Sequence, residues 1–92
     1  MIDLQNKVAL ITGAARGIGR GCAVEMAKCG ADIIINDCAN LDEAAETEEV
    51  IRQHGRQAIS LVGDVSDRED VERIVREGID RFGKIDILVN NA

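Results

Sequence analysis

Short apolar runs alternate with longer amphipathic segments along the whole chain. Four of these runs, at residues 8–11, 33–35, 58–62 and 85–89, are rich enough in Val and Ile to predict buried strands. Between them, apolar residues recur every three or four positions, which is the spacing of one face of a helix. The pattern therefore predicts that strands and helices alternate strictly.

The first predicted helix carries an apolar stripe and ends before Gly30, which suits the position that follows a helix C-terminus. The stripe consists of Ile18, Cys22, Ala23, Met26 and Ala27. The second helix is predicted from about residue 42 to residue 54, and its apolar face is thin. That face consists of Ala44, Thr47, Ile51 and His54. A polar turn through Asn36, Asp37 and Asn40 precedes this helix.

The third predicted helix has the clearest period in the chain. Ser66 and Glu69 have the spacing of a capping box, in which each side chain satisfies a free backbone N–H at the helix N-terminus. The apolar face consists of Val71, Ile74, Val75, Ile79 and Phe82. Gly83 is predicted to end the helix.

Buried strands separated by helices predict a parallel sheet, here an α/β fold of the Rossmann type, doubly wound, with strand order 3-2-1-4. Right-handed crossovers would place the first two helices on one face of the sheet and the third on the other. The 92 residues are enough for one small domain and no more.

Composition excludes several classes of function. The net charge is −6 and no basic patch is visible, so we expect no nucleic-acid partner. No run of 18 apolar residues occurs, so we expect no membrane span. Cys22, Cys29 and Cys38 are odd in number and lack metal-site spacing, which favours a reducing, cytoplasmic location and no bound metal.

A glycine-rich turn, Thr12-Gly13-Ala14-Ala15-Arg16-Gly17-Ile18-Gly19, joins the first strand to the first helix. Gly13 permits a sharp turn, Gly17 removes bulk where a pyrophosphate would approach, and Gly19 allows close packing of helix on strand. The free N–H groups of the helix N-terminus would attract phosphate. The spacing is G-x-x-x-G-x-G and not the G-x-G-x-x-G of other dinucleotide-binding proteins.

Three motifs in order resemble those of the classical short-chain dehydrogenase/reductase family. They are the glycine turn, the Gly63-Asp64-Val65 segment after the third strand, and Asn90-Asn91-Ala92 after the fourth. The resemblance covers the whole chain. It implies that Asp64 accepts a hydrogen bond from the adenine amino group, that Val65 lies against the ring, and that Asn90 ties the fourth strand to its neighbour.

Together, the strand ends and the resemblance define a set of candidate cofactor-binding residues. They are Gly13, Ala14, Ala15, Arg16, Gly17, Ile18, Gly19, Asp37, Asp64, Val65 and Asn91. Turn chemistry or helix capping is the alternative explanation for Asp37, Asp64 and the two Asn residues.

The cofactor is expected to be NAD or NADP. Asp37 follows the second strand, where a carboxylate can accept hydrogen bonds from the adenosine ribose and repel the 2′-phosphate of NADP. Arg16 favours NADP, because in the resembling family a basic residue at that position often accompanies NADP use. The second basic residue usual in that case is replaced by Cys38. The sequence therefore favours NAD.

Catalytic groups are not found in this chain. The resemblance implies hydride transfer between nicotinamide and an alcohol or ketone, with a Tyr, a Lys and a Ser acting on the substrate. The chain contains no Tyr, and Ser60 and Ser66 are predicted strand and cap residues. We therefore expect the cofactor-binding half of a longer, homo-oligomeric enzyme of about 250 residues that acts on a small molecule. The alternative is a non-catalytic dinucleotide-binding module.

Overall fold

A computed structural model of the chain describes residues 2–91. The elements are β1 (Val8–Thr12), α1 (Gly17–Lys28), β2 (Asp32–Asp37), α2 (Leu41–Gln53), β3 (Ala58–Val62), α3 (Arg68–Phe82) and β4 (Ile87–Val89). Each predicted element is present in the predicted order. The fourth strand is shorter than its apolar run, because Ile85 packs under α3 and Asp86 caps the start of β1.

The four strands form one parallel sheet in the order β3-β2-β1-β4, which confirms the predicted Rossmann-type topology. In the register of the sheet, Leu10 lies between Ile34 of β2 and Leu88 of β4. All four strands therefore end at one edge, and the loops that follow them are neighbours.

Two apolar layers cover the sheet, as the crossover rule predicts. On one face α1 and α2 pack on β1 and β2 through small residues and Ile51. On the other face α3 packs through Ile74, which touches the layer of Val8, Leu10 and Ile34. No helix within the described residues has the length and hydropathy needed to span a membrane.

Four local predictions are wrong. The apolar stripe of α1 does not include Ile18, which is 83% exposed. The N-cap of α3 is Asp67, whose carboxylate accepts hydrogen bonds from the N–H groups of Glu69 and Asp70, so Ser66 is not the cap. Asn36 and Asp37 belong to β2 and not to a turn. His54 is exposed and does not belong to the apolar face of α2, because the helix ends at Gln53 and His54 is its C-cap.

Candidate functional site

A cleft lies at the edge where the parallel strands end. This edge is the usual ligand-binding position in open α/β sheets, because the loops after neighbouring strands diverge there. The glycine turn and the loops after β2 and β3 form its walls. It is lined by Gly13, Asn36, Asp37, Cys38, Gly63, Asp64 and Val65. The structure thus brings together residues that are up to 52 positions apart in the chain.

The glycine turn requires glycine for two different reasons. Gly13 and Gly17 both have a φ of 63°, a left-handed conformation that residues with a Cβ avoid. Gly19 has a close neighbour instead. A Cβ on Gly19 would lie 2.2 Å from the carbonyl oxygen of Gly13 and 2.7 Å from Nδ2 of Asn91. Only glycine at position 19 lets α1 approach the ends of β1 and β4 this closely.

The N-terminus of α1 has no acidic or capping partner in the described structure. Arg16 occupies the N-cap position and its side chain makes no capping hydrogen bond, and the first turn holds no Asp or Glu. In contrast, α3 is capped by Asp67. The first N–H groups of a helix carry a partial positive charge and need acceptors. The start of α1 is therefore suited to bind an anion such as a phosphate.

Ala14 and Ala15 lie in the wall of the turn with fully buried side chains. The N–H of Ala14 donates to the carbonyl of Asn36 at 3.1 Å, so it is not available to a ligand. The carbonyl of Ala15 accepts a hydrogen bond from Thr47 Oγ1 at 2.9 Å. These two residues shape the turn, whereas Ile18 is 83% exposed at the start of α1.

Asp37 ends β2 with its carboxylate beside the cleft. Its Oδ1 accepts hydrogen bonds from Asn40 Nδ2 at 2.9 Å and from the N–H of Ala39 at 3.3 Å. Burial raises the pKa of this carboxyl group, but these hydrogen bonds outweigh it and lower the pKa below its usual value. Asp37 is therefore ionised at neutral pH, and a negative charge lies at the end of β2.

Arg16 lies on the outer side of the turn and is paired with Glu43 of α2. The distance from Arg16 Nη1 to Glu43 Oε1 is 3.8 Å, and both side chains are largely exposed. An exposed pair of this kind is weak, so Arg16 is not rigidly held. Glu43 places a negative charge beside the positive charge that Arg16 would present to a ligand.

Asp64 and Val65 follow β3 on the opposite wall of the cleft. Asp64 Oδ1 accepts hydrogen bonds from the Ser66 hydroxyl at 2.7 Å and from the Ser66 N–H at 2.9 Å. These two hydrogen bonds lower the pKa of the Asp64 carboxyl group, and the bond from the Ser66 hydroxyl has the larger effect. The Asp64 N–H donates to Asp70 Oδ2 at 2.8 Å, so the segment is attached to α3. Val65 is partly exposed beside it.

The segment after β4 is tied to the glycine turn. The N–H of Asn91 donates to Thr12 Oγ1 at 2.8 Å, and Asn91 Nδ2 lies 3.3 Å from the carbonyl oxygen of Gly13. Asn90 Oδ1 accepts a hydrogen bond from Thr12 Oγ1 at 3.3 Å, which joins β4 to β1 as expected. Ala92, the last residue of the third motif, lies outside the described residues.

The sequence interpretation missed two buried polar side chains at this edge. Asn36 is 2% exposed and Thr47 is fully buried, and each hydrogen-bonds to a loop of the site. In the sequence, only the positions of these two residues indicated that their side chains would be buried. Asn36 follows three Ile residues directly and so continues the strand, and Thr47 lies on the apolar face of α2 between Ala44 and Ile51.

The remaining candidate groups lie away from this cleft or make no cluster. Cys22 and Cys29 are half-buried on and after α1, and Cys38 is exposed at the rim of the cleft. Over residues 2–91, no three His, Cys, Asp or Glu side chains are grouped so that they could hold a metal ion.

Parallel strands, a glycine turn and an open helix N-terminus together define a Rossmann-type dinucleotide-binding fold. A family model described as short chain dehydrogenase matches residues 7–92. The chain therefore belongs to the short-chain dehydrogenase/reductase family. The chain is similar to the short-chain dehydrogenase/reductase homolog YusS of Bacillus subtilis, with 41% identity over 99% of this chain and 84% of that protein.

Other relatives are longer. An uncharacterized oxidoreductase of Thermotoga maritima is 45% identical over 99% of this chain, which spans 35% of that protein. A short chain dehydrogenase from Mycobacterium paratuberculosis, solved bound to NAD, superimposes with a TM-score of 0.93 at 37% identity, over 98% of this chain and 38% of that one. Carveol dehydrogenase from Mycobacterium avium, in complex with NAD, has a TM-score of 0.92 at 36% identity over 100% of this chain and 37% of that one.

Proposed function

We propose that the cleft binds the adenosine and pyrophosphate parts of NAD and that the chain is the cofactor-binding part of an oxidoreductase. The observation that carries this proposal is the contact of Gly19 with the Gly13 carbonyl. The uncapped N-terminus of α1 follows directly on the glycine turn, and Gly13 of that turn lines the cleft that contains Asp37 and Asp64. Two solved structures that superimpose on this chain were determined with NAD.

Different residues would bind different parts of the cofactor. The first N–H groups of α1, at Gly17 and Ile18, would hold the pyrophosphate, with Arg16 beside it. Asp37 would accept hydrogen bonds from the adenosine ribose, and Asp64 would accept one from the adenine amino group. Val65 would cover the ring, and Asn91 would contact the cofactor beyond it. When bound, the cofactor supplies a nicotinamide ring that gives or takes a hydride.

We propose a preference for NAD over NADP. The ionised Asp37 would repel a 2′-phosphate, and Glu43 would offset the attraction of Arg16. A repulsion near a partly buried carboxylate outweighs an exposed, mobile cation. The residue after Asp37 is Cys38, which offers no second positive charge.

The proposed activity of the whole protein is hydride transfer between nicotinamide and an alcohol or carbonyl group of a small molecule. The chain spans about a third of the length of several relatives, so the substrate pocket and the Ser, Tyr and Lys implied by the family would lie outside these residues. A non-catalytic module is not favoured, since relatives are described as dehydrogenases and an oxidoreductase. We also propose a cytoplasmic homo-oligomer.

We further propose that residues 1–92 are the N-terminal part of one domain. Apolar residues on the α3 side of the sheet support this, because they line a groove that a folded domain would cover. Leu88 is 65% exposed and Val71 is 36% exposed, although both border the layer around Ile74. A segment that packs on this groove would bury them.

The proposed function is tested by equilibrium titration of the protein with NADH and with NADPH, in the natural chain and in Asp37→Ser. We expect NADH to bind at least tenfold more tightly than NADPH in the natural chain. In Asp37→Ser the preference for NADH over NADPH should become smaller or reverse, because the substitution removes the charge that opposes the 2′-phosphate. Absence of binding of either dinucleotide would contradict the proposal, and an unchanged ratio in Asp37→Ser would contradict the role of Asp37.

A further inference from the structure

Asn36 is the only buried side chain in the described sheet that ends in an amide, and both of its N–H bonds have acceptors. Its Nδ2 donates to the carbonyl of Leu61 at 3.1 Å and to the carbonyl of Gly63 at 3.2 Å. Both acceptors lie across the β2–β3 junction, where β3 ends. A buried amide must be paired, because an unpaired one loses its hydration without compensation.

The main chain of residue 36 holds the other wall of the cleft. The carbonyl of Asn36 accepts the N–H of Ala14 at 3.1 Å, which fixes the start of the glycine turn. One residue further, the carbonyl of Asp37 accepts the N–H of Gly63 at 3.2 Å. Residue 36 thus lies between the two loops that carry the proposed pyrophosphate and adenine contacts, and it also lines the cleft itself.

We propose that Asn36 is a positioning residue for the adenine subsite, and that its side-chain amide sets where Asp64 stands. The inference rests on the proposed function. The Asp64 carboxylate can select an adenine amino group only if residues 63–65 stay at a fixed distance from the glycine turn. The hydrogen bond from Asn36 Nδ2 to the Gly63 carbonyl is the side-chain connection from β2 to that segment, and the bond to the Leu61 carbonyl attaches the same amide to the end of β3.

The close packing around Gly63 makes the position of Asp64 depend on this connection. A Cβ there would lie 2.8 Å from Ile74 Cδ1 and 2.9 Å from Arg73 Nη2, so the segment is already in tight contact with α3. It is held by α3 on one side, and on the β2 side by the Asn36 amide and by the hydrogen bond from the Gly63 N–H to the Asp37 carbonyl. Loss of the amide would remove the side-chain part of the attachment to β2, and Asp64 would shift with respect to the adenine ring.

The test compares NADH with its hypoxanthine analogue, in which an oxygen replaces the 6-amino group of adenine. The analogue cannot donate the hydrogen bond that Asp64 would accept. Dissociation constants are measured for the natural chain, for Asn36→Leu, which keeps the branched shape of the side chain but has no hydrogen-bond donors, and for Asn36→Ser, which is smaller. Ile51→Val is the matched control, because it removes a buried methyl group from the apolar layer on the opposite face of the sheet and changes no hydrogen bond of residues 61–65.

We expect the natural chain to bind NADH roughly tenfold to a hundredfold more tightly than the analogue, as a hydrogen bond to a carboxylate would give. In both Asn36 variants this ratio should fall toward one, while Ile51→Val keeps it. A substitution that only destabilises the fold would weaken the binding of both ligands equally and leave the ratio of their dissociation constants unchanged. An unchanged ratio in the Asn36 variants would therefore overturn the inference.

Two further results separate this inference from the proposed function. If the natural chain binds NADH but does not distinguish the analogue, the inference and the proposed adenine contact of Asp64 are overturned, whereas binding of NAD at the cleft stands. If it binds neither, both are overturned. Should the variants fail to fold, the side-chain NH₂ of Asn36 in the natural chain is followed by NMR hydrogen exchange. Protected protons support the connection, and exchange at the rate of an exposed amide contradicts it.

Discussion

The contact between Gly19 and the Gly13 carbonyl leads to a quantitative prediction for Gly19→Ala. The new Cβ would lie 2.2 Å from that oxygen, whereas real Cβ contacts essentially never fall below 3.0 Å. The start of α1 must therefore move by roughly 1 Å, and overpacking of this kind costs about 1–3 kcal/mol of unfolding free energy. Alanine also favours the helix over glycine by about 1 kcal/mol. In Gly19→Ala the clash therefore lowers the unfolding free energy, whereas the higher helix propensity of alanine raises it.

Gly21→Ala isolates the clash from the helix propensity. Gly21 lies in the same helix, and a Cβ there would meet no atom within 4 Å. Gly21→Ala should therefore stabilise the protein by up to about 1 kcal/mol. Gly19→Ala should be less stable than Gly21→Ala by about 1–3 kcal/mol, measured by urea unfolding. Gly19→Ala should also weaken NADH binding at least tenfold, and Gly21→Ala should not. Equal stability and equal affinity of the two variants would refute this reasoning.

Two further predictions concern stability. Asp67→Ala should lower the unfolding free energy by about 1 kcal/mol, because it leaves the first N–H groups of α3 without acceptors, whereas Ser66→Ala should cost clearly less in the same urea titration. The pKa of Asp86 is lowered from its usual 3.8, chiefly by the hydrogen bond from the Val8 N–H. The ionised Asp86 carboxylate therefore stabilises the fold fully above about pH 4, and this stabilisation is lost as the pH falls further. Thermal melts between pH 5 and pH 3 should therefore show a smaller fall in Tm for Asp86→Asn than for the natural chain, and an identical fall in both would count against this role.

Most of the fold was predictable because its signals are local or follow from general rules of topology. The runs at 33–35 and 58–62 are dominated by β-branched and apolar residues, and Gly83 ends α3 as predicted, in a left-handed conformation. The strand order was expected from the Rossmann-type topology, and the handedness of the crossovers predicted on which face of the sheet each helix packs. The errors lie where neighbouring residues compete. Ser66 and Asp67 can both cap a helix, and the extended backbone of Asp67 decides between them.

The candidate site was less predictable than the fold. Asp37, Asp64 and the glycines could be proposed because strand ends and a known motif place them at one edge of the sheet. Asn36 could not, since its partners Leu61 and Gly63 are more than 20 positions away and nothing local distinguishes a strand Asn from a turn Asn. Its role depends on tertiary contacts, which residue spacing does not report.

The central claim, that this edge of the sheet binds a dinucleotide, is tested most directly by titration of the ¹⁵N-labelled protein with NADH, followed by NMR. The account predicts saturable shifts at the amides of residues 13–19, 37, 63–65 and 91. It predicts no comparable shifts at Gly30, Gly55 and Gly83, which lie outside the cleft. No saturable change at millimolar NADH, or changes centred on those three glycines, would contradict the account.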